Sequence, residues 1–366
     1  MPRILYFSRT YTPHDHRFLQ AMSENGDAVY ALHLENRAQP LEDRPLPRGV
    51  ERIHWLAERI PFGYGRLPAF IRNLRQVLKQ VNPDVVLAGP LQTCAFLVAA
   101  SGYRRLVSMS WGYDLLIDAR RNRWMTWLTR YTLKHSAALL GDCETIRRLA
   151  VHYGMNPERI VTFPWGVDLR HFSPDQRVPG KGEGFVFLST RSWEPIYGVD
   201  LIAKAFGEVG RRYAYAHLIL LGNGSQAATL QTILSRAGVF EQVSMPGQIG
   251  FVALPRFYRL TDVYVSASHS DGTSISLLEA MACGRPVIVS DIPGNREWIT
   301  AGEQGWLFAD GDWRALAHIM EQAILRRDEL KRMGEAARRL VEQRADWQRN
   351  FPKLYQALSW AMESVL

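Results

Sequence analysis

The chain reads as an α/β protein with two parallel sheets in succession, and three observations carry that reading. Short β-rich runs alternate with longer helical patterns from end to end, as repeated βα units require. The alternation stops over residues 164–184, a stretch rich in Pro, Gly and charge without apolar periodicity, and then restarts. The length of 366 residues suits about two domains of ordinary size.

In the first half, residues 4–7, 28–34, 85–88, 106–110 and 138–140 are apolar runs of strand length, the pattern of strands buried on both faces. Between them, residues 17–25, 67–81, 93–101 and 145–153 space apolar side chains three or four apart and predict helices. A short strand at 161–163 precedes the aperiodic stretch. The second half resumes with strand 185–189, helix 199–212, strand 217–221, helix 226–237 and strand 243–245, and continues to a buried strand at 287–289. From 313 onward the pattern is helical, broken at Pro352. The domains predicted are 1–172 and 173–345, with 346–366 as a C-terminal helix.

Hydrophobic residues make up 47% and charged residues 22%, as in soluble globular proteins. No apolar run reaches the roughly 20 residues that cross a bilayer, and the first residues carry no cleavage-site pattern, so a cytoplasmic chain is expected. Cys94, Cys143 and Cys283 are odd in number and lack metal-ligand spacing, which fits a reducing compartment without structural disulfides. The net charge of +8 lies in residues 1–172, with 23 Lys and Arg against 15 Asp and Glu; the rest balances at 21 each. Its densest part is 120–135, where Trp124, Trp127, Leu128 and Tyr131 form a helical apolar stripe bordered by Arg123, Arg130 and Lys134. Two readings stand: peripheral contact with an anionic membrane at its inner face, or a stripe packed on a sheet with Arg stems along its edge. No nucleic-acid partner is expected.

The most informative stretch is 271–291, DGTSISLLEAMACGRPVIVSD. Asp271-Gly272-Thr273-Ser274 reads as a turn in which Ser or Thr can cap, and 275–283 as a helix closed by Gly284 and Pro286. A helix start presents free N–H groups and a positive dipole end, which suits a phosphate or a polar sugar. Asp271 sits at that mouth, and Glu279 inside the helix can accept two hydrogen bonds from a vicinal diol. The alternative is a buried helix with Asp271 as a cap and Glu279 paired to an Arg.

Four further motifs have two readings each. Gly222-Asn223-Gly224-Ser225-Gln226-Ala227 matches a dinucleotide fingerprint, yet follows the second strand of its half rather than the first. Asp310-Gly311-Asp312 resembles a metal-binding triplet, but its place before a helix makes Asp312 an N-cap, and no metal requirement is predicted. His14-Asp15-His16 follows the first strand, where a loop could bind metal or move protons. Arg191, after strand 185–189, can hold a diphosphate bidentately or pair with Glu194.

With these pieces placed, the chain resembles the retaining glycosyltransferases of family 4. The resemblance spans essentially all of it and rests on FPWGVDLRHFSP (163–174), STRSWEPIYGVDLIAKAF (189–206), HLILLGNG (217–224) and DGTSISLLEAMACGRPVIVSDIPGNREWI (271–299). It implies the GT-B fold, two Rossmann-like domains facing across a cleft, with the last helix crossing back to the first domain. The acceptor would belong to the first domain and the donor, a UDP- or GDP-sugar, to the second. Glu279 would hold the ribose and Asp271 the transferred sugar, with Gly272, Thr273, Ser274 and Ile275 on the sugar and phosphates and Arg191 on the diphosphate. Gly222 and Asn223 belong to its Gly-rich loop, and Gln248 and Ile249 would line the base pocket. Three departures are visible: Asp271 replaces the usual Glu; Tyr197 replaces a Lys before Gly198, with Arg296 as a candidate substitute cation; and Trp111-Gly112-Tyr113-Asp114 and His14-Asp15 stand where the family has His-Gly and Gly-Gly. The family's acceptor-side roles do not carry over at these positions; the acceptor-side candidates are Trp111, Asp114 and His16, with His14 as a catalytic candidate. A sugar-nucleotide epimerase, a catalytically degenerate binding protein and an NAD-dependent dehydrogenase are the competing readings.

Overall fold

A computed structural model describes residues 1–35, 42, 44–174 and 184–363. The chain divides into two compact units, Met1–Phe163 with Phe351–Leu366, and Pro164–Asn350. The sequence places the divisions at 172 and 346; packing places them earlier and later. Val167 donates to the Ala345 carbonyl at 2.8 Å and Asn350 donates to the Pro164 carbonyl at 2.9 Å, so the start and end of the second unit are tied to each other.

The first unit contains β1 (Arg3–Ser8), β2 (Ala28–His33), β3 (Val50–Ile53), β4 (Val85–Ala88), β5 (Leu106–Met109), β6 (Ala138–Gly141) and β7 (Ile160–Thr162), in the order β3-β2-β1-β4-β5-β6-β7. Every described pairing is parallel. Ile4, Leu5, Tyr6 and Phe7 are fully buried, as strands covered by helices on both faces demand. Helix Leu67–Val81 shows the matching one-sided pattern: Phe70, Leu74, Val77 and Val81 are buried, and left-handed Asn82 ends it. Helix Leu354–Glu363 packs against β4, β5, β6 and β7, and Arg159 lies over the Trp360 ring.

The second unit contains β8 (Phe185–Ser189), β9 (Ala216–Leu221), β10 (Val243–Gly247), β11 (Val263–Ser266), β12 (Val287–Ser290) and β13 (Gly305–Phe308), ordered β10-β9-β8-β11-β12-β13 and again parallel throughout. β3, β11 and β13 are additions to the strands named from sequence. In each sheet the chain first winds outward to one side and then returns to build the other. The reversal falls between β1 and β4 in the first unit and between β8 and β11 in the second. At such a point the loops leaving two adjacent strands part in opposite directions and open a crevice at the carboxyl edge, where ligands of doubly wound sheets bind.

Helix Pro13–Glu24 begins four residues before its predicted start. Thr12 and Asp15 form a capping box, and Pro13 occupies the first turn, where its missing N–H costs nothing. His14, Asp15 and His16 therefore belong to a helical turn and not to a loop. On helix Arg123–Lys134 the buried residues are Leu128, Thr129, Thr132 and Leu133, whereas Trp124 and Trp127 are 45% and 47% exposed. The aromatic stripe stands largely outside the packed face: Trp124 stacks on Trp127 at 4.9 Å and Trp127 on Tyr131 at 5.3 Å. No helix of the described residues is long and apolar enough to cross a membrane.

Candidate functional site

The switch point of the second unit gathers the residues that the signature singled out. Arg191 leaves the end of β8, and the segment from His269 to Ser274 leaves β11. The Arg191 Nη2 lies 2.8 Å from Asp271 Oδ2, and Nη1 donates to Ser274 Oγ at 3.0 Å and Ser276 Oγ at 3.1 Å. The guanidinium also sits 4.2 Å above the Tyr197 ring, within cation–π distance. Burial works against the Arg191 charge, but Asp271 and then Tyr197 hold its pKa above the ordinary value. Glu194, the alternative partner, instead accepts from Ser225 N at 2.9 Å and Ser225 Oγ at 2.5 Å.

Ser274 is the N-cap of helix Ile275–Ala282 by position, but its side chain makes no capping bond; its hydroxyl accepts from Arg191 instead. The first N–H groups of that helix thus keep their anion-binding capacity. Gly198, the N-cap of helix Val199–Arg212, has no side chain to spend on a cap. Its φ is +57°, and a Cβ there would lie 2.2 Å from the Ala267 carbonyl oxygen, so only glycine brings this helix start so near the end of β11. Gly294 does the same for the signature loop: a Cβ would lie 2.2 Å from the Gly272 carbonyl oxygen.

Glu279 is 8% exposed and accepts from Tyr258 Oη at 2.8 Å, while Tyr258 Oη is 3.1 Å from Thr190 Oγ1. Burial first, and Glu279 second, keep the Tyr258 phenol protonated, so it remains a donor that orients the carboxylate. Gly222 and Asn223 lie against the Arg191 segment: the Asn223 carbonyl accepts from Trp193 N at 2.8 Å and Ser192 Oγ at 3.0 Å. Gln248 is exposed, and Ile249 is half-buried against the core around Tyr258 and Leu277. Buried polar atoms without a hydrogen-bond partner among the described residues include Ser189 Oγ, Arg191 Nε, Trp193 Nε1 and Gln226 Oε1, all at or beside this crevice. Sequence reasoning missed Ser276, Tyr258 and Thr190. Ser276 was detectable, standing on the helix start opposite Arg191; Tyr258 and Thr190 needed the sheet.

One expectation is corrected, that of Arg296, and the cap reading of Asp312 is met. Arg296 is 60% exposed and bonded to Asp291 through Nε at 2.5 Å and Nη2 at 2.9 Å, so it is spent on a neighbour five residues away. The position vacated by the usual Lys is used differently, with the Tyr197 ring supporting Arg191. Asp312 caps helix Trp313–Leu325, accepting from Arg314 N and Ala315 N at 3.0 and 2.9 Å.

In the first unit the proposed acceptor residues are mostly internal. Asp114 is fully buried and accepts from Ser110 Oγ at 2.6 Å, Leu115 N at 2.9 Å, Leu91 N at 3.1 Å and Trp111 N at 3.3 Å. Burial pushes its carboxyl up to about 6 against those hydrogen bonds. It ties the loops after β4 and β5 together and presents nothing to a substrate. His16 is 8% exposed, its Nδ1 lies 2.6 Å from Tyr11 Oη, and burial followed by Arg44 lowers its pKa. Asp15 is consumed by the capping box, and burial raises it to about 6. The His14 and Trp111 rings are half-buried and 5.7 Å apart. Among the described residues no group of three acidic, His or Cys side chains could hold a metal ion.

Two Rossmann-like sheets in one chain, each reversing at its own switch point, form the GT-B fold, and the protein is a GT-B glycosyltransferase. The fold is shared with the UDP-glucose complex of Anabaena HepE, with a TM-score of 0.81 and 17% identity, over 98% of this chain and 100% of that one. Residues 14–171 match Glycosyltransferase Family 4, and residues 173–340 match Glycosyl transferases group 1. The chain is 32% identical over 332 residues to the putative glycosyltransferase EpsD of Bacillus subtilis, covering 82% of this chain and 85% of that protein. It is 25% identical over 326 residues to the GDP-mannose-dependent alpha-(1-6)-phosphatidylinositol monomannoside mannosyltransferase of Mycolicibacterium smegmatis, covering 81% and 82%. The chain belongs to glycosyltransferase family 4.

Proposed function

We propose that this glycosyltransferase moves a sugar from a UDP- or GDP-sugar to an acceptor with retention of anomeric configuration and without a metal. The observation that carries the reading is Arg191, held by Asp271, Ser274, Ser276 and the Tyr197 ring between two helix starts without side-chain caps. An anionic diphosphate satisfies all three sources of positive potential at once. It also offers acceptors to the orphaned Arg191 Nε and Trp193 Nε1. Glu279, oriented by Tyr258, takes the ribose hydroxyls; Asp271 takes hydroxyls of the transferred sugar; Gly222, Asn223, Gln248 and Ile249 border the nucleotide.

In the step itself the bond from the anomeric carbon to the β-phosphate oxygen breaks and a bond from that carbon to the acceptor oxygen forms on the same face. The acceptor proton passes to the departing phosphate. Arg191 and the helix starts stabilise the charge that grows on the diphosphate, and the rest of the site positions the partners. The name of the mycolicibacterial relative supports GDP and the HepE complex supports UDP, so the base is assigned by measurement.

The test is a thermal-shift panel of nucleotide sugars, since a donor that binds only the folded state raises its melting temperature. A UDP- or GDP-sugar is expected to stabilise the wild type and to lose that effect in Glu279→Ala. Stabilisation by NAD alone, or conversion of donor to a different sugar nucleotide without acceptor, would replace transfer by the dehydrogenase or epimerase reading. Binding without transfer or hydrolysis would leave a degenerate binding protein. A second reading, peripheral contact with an anionic membrane, is favoured by the exposed Trp124 and Trp127 among Arg123, Arg130 and Lys134.

A further inference from the structure

The switch point of the first unit, between β1 and β4, holds a cavity of about 260 Å³. Three strand ends supply part of its lining: Arg9 follows β1, Gln92 follows β4 and Tyr113 follows β5, while Tyr64, Asp118 and Arg121 add polar groups to a wall that is otherwise partly apolar. The second unit uses the equivalent place for the residues of its signature, and doubly wound sheets in general bind ligands there. None of His14, His16, Trp111 and Asp114 lines the cavity. Tyr113 does, being the 43%-exposed neighbour of buried Asp114.

The lining groups act on one another's charge. Burial raises the Asp118 carboxyl above its ordinary range, and Arg121, then Arg9, pull it back. Burial also raises the Tyr64 phenol, and Asp118 adds to that while Arg9 and Arg121 oppose it. The Tyr113 phenol is raised by burial and then by Asp114. Both phenols stay protonated and can donate. Among the described residues the hydrogen bonds of Tyr64 Oη are long, 3.4 Å to the Gln92 carbonyl and 3.6 Å to Met125 Sδ. Arg9 is 44% exposed and reaches Glu35 through Nη2 at 3.0 Å; Arg121 is exposed. Two guanidiniums and one carboxylate thus face the same space, with phenolic donors beside them.

We propose that this cavity is the acceptor pocket and that Arg9 and Arg121 make it selective for a small polyol or sugar bearing a phosphate, whether free or as a lipid headgroup. The proposal rests on the transfer reading given above. Guanidinium donors match phosphate oxygens in pairs, and Asp118 with the two phenols matches neighbouring hydroxyls. A neutral sugar would bring no anion to Arg121 or to the donors of Arg9 beyond the Nη2 held by Glu35, and a bare phosphate would face Asp118. The volume is at the small end for ligand sites and suits a single ring.

Transfer is measured with the full chain and the nucleotide sugar giving the largest thermal shift. The acceptors are matched: glucose against glucose 6-phosphate, inositol against inositol 1-phosphate, and phosphatidylcholine vesicles without and with phosphatidylinositol. The phosphorylated member of at least one pair is expected to be used about tenfold or more better, and the soluble and vesicle arms separate the two sources. Arg121→Ala is expected to raise the KM for that acceptor about tenfold while the donor's thermal shift stays unchanged, and Arg121→Lys to recover part of the loss. Donor binding with no preference for phosphorylated members, with no transfer to any of them, or with an unchanged acceptor KM in Arg121→Ala overturns the pocket's assignment and leaves the donor reading standing. Absence of any nucleotide-sugar shift in the wild type fells the transfer reading, and this proposal with it.

Discussion

Replacing Arg191 by Ala perturbs the site at the point where most of its contacts meet. The guanidinium spans Asp271 at 2.8 Å, Ser274 at 3.0 Å and Ser276 at 3.1 Å, and packs on Tyr197. Two costs follow. In the free protein Asp271 loses its cation; the paired side chains are 13% and 21% exposed, so the loss lies between that of a surface pair and a buried one, about 1–3 kcal/mol. In the transition state the leaving diphosphate loses a preorganised donor, worth about 3–4 kcal/mol or roughly 10²–10³ in kcat. The uncompensated Asp271 carboxylate also repels the same anion. Initial rates with donor varied at saturating acceptor should show kcat/KM down by at least about a hundredfold. Melting followed by circular dichroism should fall by only a few degrees, roughly what that loss of stability gives. Arg191→Lys keeps the charge without the planar fork and should recover a minor part. An Ala variant that melts normally and turns over within about threefold of wild type would refute the assignment of Arg191 to the diphosphate.

Three further outcomes are expected. Gly294→Ala places a Cβ 2.2 Å from the Gly272 carbonyl oxygen, so the signature loop must move; donor KM should rise and stability fall by about 1–3 kcal/mol, whereas Gly65→Ala, with nothing within 4 Å, should leave both nearly unchanged. Asp114 binds its proton more tightly folded than unfolded, its pKa rising from 3.8 to about 6; its contribution is therefore most favourable below about pH 4 and is lost as pH rises to about 6. In urea melts, the stability of wild type minus that of Asp114→Asn should drop by about 3 kcal/mol across that window; a constant difference contradicts the placement. Trp124→Ala with Trp127→Ala should weaken co-sedimentation with anionic vesicles, and wild-type binding that ignores lipid charge would remove the membrane reading.

The crevice of the second unit, the proposed donor site, was the more legible because its signals are local. DGTS before an apolar helix, Gly198 before a second helix and Arg191 after a strand are each recognisable within a few residues. The motifs of the first unit were less legible. Trp111-Gly112-Tyr113-Asp114 names four adjacent residues, but which of them meets solvent depends on loops after β4 and β5 that are joined only in the folded sheet. Asp114 turned inward to four donors, and Tyr113 was left at the cavity. His14-Asp15-His16 looked like a loop constellation until the Thr12 and Asp15 capping box drew it into a helix.

By itself the sequence determined the two parallel sheets, the helix that carries Glu279, and the place of Arg191 just after a strand, because strand runs, helical periodicity and cap residues act over a few neighbours. Tertiary structure alone decided what Arg191 touches: Ser276 lies 85 residues away and reaches it only because β8 and β11 are adjacent at the switch point. Loop conformation put the Tyr197 ring beneath Arg191 and committed Arg296 to Asp291, and long-range pairing brought Arg9, Tyr113 and Arg121 around one space. Contacts of that sequence separation are set by the order of strands in a sheet, which no local pattern encodes.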